Sequence, residues 1–379
     1  MRIALVSCVY PPYKSGIGNV AARHAHQLTD MGHQVRVLCP AHDDAPGRDI
    51  IDGIAVDRLR PLIRHGNSAL VPQLATRVAG FDAVYIMYPF FGGAEPAALG
   101  ALTCGIPYVI FFHMDVMWDG WRGRVLTAYE RAVEPHLMRR AHQVLASSHE
   151  YANASSLARI RGLDVRESPY SLDLSRFHPP EPDMPLPAEP TVLFVGAMDI
   201  GHAFKGVPQL LEAFAQVRRQ ITCKLELIGD GELRAGYEQL AAATGFGADI
   251  TFLGRVDDAA LAQAYHRAAL VALPSTTGEE AFGVVLAEGM ASGCPSIASD
   301  LPGVAAVVRS GGGILVPPGN VPALAEGILS VVRDPEYRTT LSRTALAGVT
   351  RYHSQAERDR LSAAFAGITP RARRRTGNR

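Results

Sequence analysis

The sequence predicts an α/β protein of two Rossmann-like domains, each built on a parallel sheet. Three observations carry that prediction. At 379 residues the chain exceeds one ordinary core, and 47% hydrophobic residues supply apolar surface for two. Apolar strand-like runs alternate with amphipathic helical segments through both halves, the pattern of parallel sheets covered on both faces. Between the halves, Pro179, Pro180, Pro182, Pro185 and Pro187 break the alternation and make a stiff, extended linker.

In the first half, residues 2–8 read as a buried strand. Tyr13 and a loop with Gly16 and Gly18 follow, then a helix to Met31 closed by Gly32. Strand, glycine loop and helix open many nucleotide-binding units, although Gly16-x-Gly18 alone equally describes a tight turn. Strands over 34–39 and 54–59 are joined by an Asp-rich turn containing Pro46-Gly47. A helix over 69–79 leads to a strand over 81–87, whose loop carries Phe90 and Phe91. After a helix over 94–104 and a strand over 106–112 comes a loop with His113, Asp115, Trp118 and Trp121. Tryptophan faces stack on sugar rings or pack a loop onto its own domain, and both readings stand at this point. His113 at a strand end is a site residue or a packed polar one. A helix over 122–141 and a strand over 143–146 precede Ser147-Ser148-His149-Glu150, which caps the next helix. Residues 166–168 complete the strands of this half. The arginines Arg131, Arg139 and Arg140 suit a solvated face or weak peripheral contact with a membrane.

The second half restarts the alternation with strands over 191–196, 223–228, 250–253, 268–273 and 293–298. Lys205 stands at a loop-to-helix junction, where an ammonium could meet a leaving group that gains negative charge. Pro274 to Ala291 is the densest stretch: a strand end, a glycine-bearing loop and a helix holding Glu280 and Glu288. If the helix starts near Glu280, the amides of Ala281, Phe282, Gly283 and Val284 are its first-turn donors, placed at a sheet's carboxyl edge where phosphate binds. Taken alone, the pair also reads as a capping Glu followed by a solvated one.

Gly278, Glu280, Phe282, Gly283, Glu288, Met290, Ala291, Gly293 and Pro295 together resemble the Glu-x7-Glu context of retaining nucleotide-sugar glycosyltransferases, family 4, of the GT-B fold. The resemblance covers nearly the whole chain. It implies two Rossmann-like domains with parallel sheets facing across a cleft: an acceptor-binding domain over 1–180, a nucleotide-sugar domain over 188–353, a helix over 354–368 crossing back to the first, and a basic tail over 369–379. It implies Glu288 on the ribose, Glu280 on sugar hydroxyls, Lys205 and the loop amides at the diphosphate, and Val256 near the base. Gly16 and Gly18 would face the donor phosphates and the acceptor. His113 would lie near the anomeric centre, with Tyr13, Phe90, Phe91, Asp115, Trp118 and Trp121 toward the acceptor. One departure stands out, because Ala197 and Ile200 occupy loop positions where such enzymes carry an arginine.

The function so implied is retaining transfer of a sugar from a nucleoside diphosphate sugar to a hydroxyl acceptor that is a lipid, saccharide or small molecule. No cofactor or metal is expected. A nucleotide-sugar 2-epimerase on the same fold, or a binding relative that has lost catalysis, are the alternatives. A formal net charge of zero removes the electrostatic argument for nucleic acid. Five cysteines, Cys8, Cys39, Cys104, Cys223 and Cys294, form no Cys-x-x-Cys, which predicts reduced thiols in a cytoplasmic protein; a monomer or homodimer is expected. No apolar run reaches the roughly 20 residues a spanning helix needs.

Overall fold

The computed structural model describes residues 1–13, 15–42, 46–116, 120–181, 187 and 189–370. The chain forms two compact units, Met1–Ser168 with the segment that starts at Glu357, and Pro169–Ala356.

The first unit holds an eight-stranded sheet in the order Val165–Glu167, Gln143–Ala146, Tyr108–Phe112, Ala83–Tyr88, Arg2–Val6, Gln34–Pro40, Ile54–Leu59, Gly47–Ile51. All neighbours are parallel except the last pair. Ala83–Tyr88 and Tyr108–Phe112 are buried throughout, which is why both read as unbroken apolar runs. The turn expected between 39 and 54 instead contains the strand Gly47–Ile51. It is almost wholly exposed and so carries no burial pattern, yet Asp52 and Gly53 at φ 48° and 81° make the Asp-Gly hairpin turn that closes it.

Two expected helices are revised. The helix over 69–79 shrinks to Leu74–Arg77, because Ser68–Leu70 pairs antiparallel with Ile63–His65 and the Val71 amide donates to the Gly92 carbonyl at 2.9 Å. The helix over 122–141 is two, Gly120–Ala132 and Glu134–Arg139, with Pro135 in the first turn of the second, where its missing N–H costs nothing.

The second unit holds six parallel strands in the order Ile250–Gly254, Lys224–Ile228, Thr191–Val195, Leu270–Leu273, Ser296–Ser299, Gly313–Val316. Chain order reverses between Thr191–Val195 and Leu270–Leu273, so the crevice beyond their carboxyl ends is the topological switch point where open α/β sheets bind ligands. Residues 169–180, assigned to the first domain on the proline run, pack in this second unit. Tyr170 meets Phe282 edge-on at 4.8 Å, Phe177 meets Tyr265 at 6.0 Å, and the Leu172 amide donates to the Tyr352 carbonyl at 2.9 Å.

The terminal helix Ser354–Ala364 passes into the first unit at Glu357. There the Glu357 carboxylate is fully buried, 3.0 Å from His24 Nε2 and hydrogen-bonded by the Gln27 side chain, while His24 Nδ1 lies 2.9 Å from the Tyr85 hydroxyl. Residues 371–379 of the basic tail lie outside the described residues.

Candidate functional site

Two loops of the second unit meet at its switch point. The strand Thr191–Val195 runs into a short 3-10 turn, Ile200–Lys205, stopped by Gly206 at φ 76°. The strand Leu270–Leu273 runs into the loop that starts at Pro274. A Cβ on Gly206 would stand 2.0 Å from the Pro274 carbonyl oxygen, so only glycine permits this approach of the two loops. Thr276 seals the join, its amide donating to the Phe204 carbonyl at 2.7 Å. Gly303, opening the helix Pro302–Ser310, comes equally close to the Glu280 carbonyl oxygen, 1.9 Å from where a Cβ would sit.

Held between these contacts, Lys205 and Glu280 form an ion pair, Nζ on Oε2, with side chains only 12% and 17% exposed. The other carboxylate oxygen of Glu280 accepts the Gly283 N–H at 3.3 Å. The helix itself begins at Val284, with Gly283 as its N-cap at φ 74°. This corrects the expected donor set. Ala281 and Phe282 precede the helix, the Gly283 N–H is directed at Glu280, and the first-turn amides are those of Val284 and Val285. The Phe282 ring is buried, edge-on to Tyr170 and Tyr352, and anchors the loop. Glu288 lies on the second turn, half-buried, and the hydroxyl of the buried Tyr265 donates to its Oε2 at 3.1 Å. Tyr265 was not among the expected site residues, and no motif marks it. Burial, with the Glu288 charge beside it, holds the Tyr265 phenol well above its ordinary range.

The loop after Val195 lacks its expected arginine, and the polar side chains near it have partners of their own. Ile200 is exposed, and His202 Nδ1 lies 2.7 Å from the Asp199 carboxylate. Arg234 is engaged by Glu238 at 2.8 Å and donates to the Phe252 carbonyl at 3.1 Å. Val256 is half-buried in the loop after Ile250–Gly254, on the same sheet edge.

In the first unit, Gly16 and Gly18 are not in a loop but in the first turn of the helix Gly16–Asp30. Ser15 caps that helix by accepting the Gly18 N–H at 2.9 Å, so this amide serves the fold. His113 is 2% exposed, and burial, with the charge of His24, pushes its imidazole down to about 3, leaving it neutral at physiological pH. Asp115 is spent on structure, both of its carboxylate oxygens accepting the Ser156 N–H at 3.2 Å. Phe90 is fully buried, its ring directly under Gly93, and presents no surface to an acceptor. Tyr13, Phe91 and Trp121 do reach the surface: Tyr13 stacks on His42 at 4.5 Å, Phe91 meets Tyr129 edge-on at 5.2 Å, and Trp121 is 66% exposed. Trp118 lies outside the described residues.

Behind the Asp115 loop lies a buried carboxyl that the sequence did not reveal. Glu134 accepts hydrogen bonds from Ser156 Oγ at 2.5 Å and the Tyr88 hydroxyl at 3.2 Å. Burial raises it to about 7, and the negative charges of Glu130 and Asp115 add to that rise. Its folded value lies above its ordinary one of 4.5, so the folded unit binds more protons than the unfolded chain between those values. The stabilisation is therefore complete at acid pH and lost as pH rises toward 7. The first unit's unfolding midpoint is expected to fall over that window relative to Glu134→Gln, whose amide cannot ionise. Parallel melting curves across the window check this, and superimposable pH profiles would refute it.

Comparison with known proteins accounts for both units. The sequence family "Glycosyltransferase Family 4" matches residues 14–162, and "Glycosyl transferases group 1" matches residues 185–347. The phosphatidyl-myo-inositol mannosyltransferase of Mycobacterium leprae is 29% identical over 93% of each chain. The alpha-D-kanosaminyltransferase of Streptomyces kanamyceticus is 32% identical over 47% of this chain and 46% of its own. Among solved structures, sucrose-phosphate synthase from Thermosynechococcus elongatus superposes with a TM-score of 0.77 at 22% identity, covering 96% of this chain and 98% of its own. The Anabaena protein HepE in complex with UDP and glucose does so at 0.75 and 20% identity, covering 97% and 100%. With a family match on each half and GT-B neighbours over nearly its full length, the chain belongs to the glycosyltransferases of the GT-B fold, family 4 type.

Proposed function

We propose that the protein transfers a sugar, with retention of configuration and without a metal, from a nucleoside diphosphate sugar to a hydroxyl acceptor. The observation that carries this is the Lys205–Glu280 pair, set at a switch point beside a helix N-terminus. In the free protein each charge answers the other. An arriving diphosphate draws the ammonium onto its oxygens and frees the Glu280 carboxylate to accept from sugar hydroxyls. Glu288, held by Tyr265, serves the ribose. As the bond from anomeric carbon to phosphate oxygen breaks, the acceptor oxygen bonds to the same face of that carbon, and its proton passes to the departing phosphate. Lys205 and the Val284 and Val285 amides meet the charge that grows on that phosphate, so the step needs no protein nucleophile. Support for a nucleotide-sugar donor also comes from HepE, whose structures hold UDP, UDP-glucose, or UDP and glucose.

A second reading, a nucleotide-sugar-binding protein without turnover, is favoured by the loop that has no arginine. The test is thermal melting with UDP, GDP, ADP and TDP sugars, on the wild type and on Glu280→Ala and Glu288→Ala. At about a hundredfold excess over Kd, a bound donor adds about 2.7 kcal/mol and raises the midpoint by roughly 5–10 °C, and both variants reduce the shift. No shift in the wild type, or equal shifts in all three, rejects the donor site. A shift with neither transfer nor donor hydrolysis selects the second reading.

A further inference from the structure

The second unit contains a cavity of ≈ 340 Å³ that shares Tyr265 with the donor reading and is otherwise unused by it. It lies at the other edge of the sheet from Lys205. Its lining residues Ala268 and Pro295 stand just before Leu270–Leu273 and Ser296–Ser299, whereas the Glu280 loop follows the carboxyl end of Leu270–Leu273. The volume is in the range of small-molecule sites.

Its walls combine an apolar cradle with one strong cation. Pro179, Pro180 and Leu346 supply the apolar part. Arg338, half-buried in the helix Pro335–Gly348, supplies the charge, and among the described residues no carboxylate lies within ion-pair distance of its guanidinium. Half-buried arginines ordinarily find a carboxylate or phosphate partner, since five rigid donors are costly to leave unused away from bulk water. Ser292, also on the wall, is 1% exposed, and its hydroxyl has no hydrogen-bond partner among the described residues. His266, by contrast, is already used, its Nε2 lying 2.7 Å from the His178 carbonyl. The rim carries one opposing charge, the exposed Glu181, which disfavours a multiply charged ligand.

We propose that this cavity binds a small organic carboxylate, its charge on the Arg338 guanidinium and its apolar body against Pro179, Pro180 and Leu346. The cavity shares the wall residue Tyr265 with the Glu288 contact, but the proposal does not depend on the donor assignment.

The test is ligand-observed fluorine NMR on the full chain with two probes, para-fluorobenzoate and para-fluorophenyl phosphate. Para-fluorobenzoate is expected to broaden saturably with the wild type. Its affinity should drop on the order of tenfold or more in Arg338→Gln, drop less in Arg338→Lys, and be unchanged in Lys205→Gln. Arg338 has no partner to strand, so Arg338→Gln should melt with the wild type, and a matched midpoint confirms that the loss is local. The phosphate probe is expected to bind more weakly here. If it binds more tightly than the carboxylate, with the same Arg338 dependence, the chemical class is wrong. If neither probe binds, or binding ignores Arg338 and vanishes in Lys205→Gln, the site itself is refuted.

Discussion

Lys205→Gln is expected to lower the turnover of sugar transfer about 10²–10³-fold, the usual loss when one preorganised charge is removed from the place where transition-state charge develops. The effect should fall mainly on kcat, because the ammonium, drawn from Glu280 onto the bound diphosphate, is called on more strongly as charge grows on the departing phosphate. The variant also leaves Glu280 without its counter-charge next to that diphosphate, so part of the loss is repulsion. Glu280→Gln in the Lys205→Gln background removes the repulsion. The double variant should therefore be less impaired than the product of the two single losses, a coupling that double-mutant kinetics measures directly. Turnover within about threefold of wild type in Lys205→Gln would show that the ammonium has no part in leaving-group stabilisation.

Gly206→Ala is expected to destabilise the second unit by about 3 kcal/mol or more. A β-carbon at φ 76° costs roughly 1–2 kcal/mol in backbone energy. It would also sit 2.0 Å from the Pro274 carbonyl oxygen, a backbone atom that no side-chain rotation can move aside. Relief requires parting the two loops, which breaks the Thr276 to Phe204 hydrogen bond and separates Lys205 from Glu280. In a unit of this size the midpoint should fall by roughly 6–12 °C. Gly278→Ala is the control. It lies in the same loop with nothing within 4 Å of an added Cβ and no positive φ, so its effect should stay within about 0.5 kcal/mol. Equal midpoints for the two variants would show that the approach of the loops is not glycine-dependent.

These two positions show what could be read in advance. Lys205 and Glu280 were legible because each occupies a recognisable place in a strand–loop–helix pattern, and strand existence was legible because Ala83–Tyr88, Tyr108–Phe112 and Leu270–Leu273 are buried on both faces. That the two side chains touch was not legible, since the contact spans 75 positions and depends on what Gly206 and Gly303 allow the backbone to do. The helix start was misplaced because Glu280, after a glycine-bearing loop, reads as a first-turn carboxylate, while the Phe282 ring anchors a loop and Gly283 takes a left-handed turn. The first unit holds contacts that were illegible for a related reason. Asp115 and His113 are polar residues at a strand end, the usual mark of a site, yet one caps a 3-10 turn and the other is buried beside Phe111. Composition does not distinguish a polar group facing ligand from one satisfying the fold. Glu134 and Tyr265 carried no motif, and their roles exist only through partners far away in sequence.

The route of the chain through its two units sets an order of events during synthesis. The second unit is one continuous stretch, whereas the first is split and recovers Glu357 only after the second has been made. Until then His24 and Gln27 are buried polar side chains lacking the carboxylate that both contact, so the amino-terminal sheet can emerge from the ribosome and collapse but cannot complete its interior. A stop codon anywhere before Glu357 would thus injure the unit translated first. A deletion running from Pro169 to Ala356, bridged by a linker, would remove the unit translated second and leave His24 and Gln27 in place for Glu357.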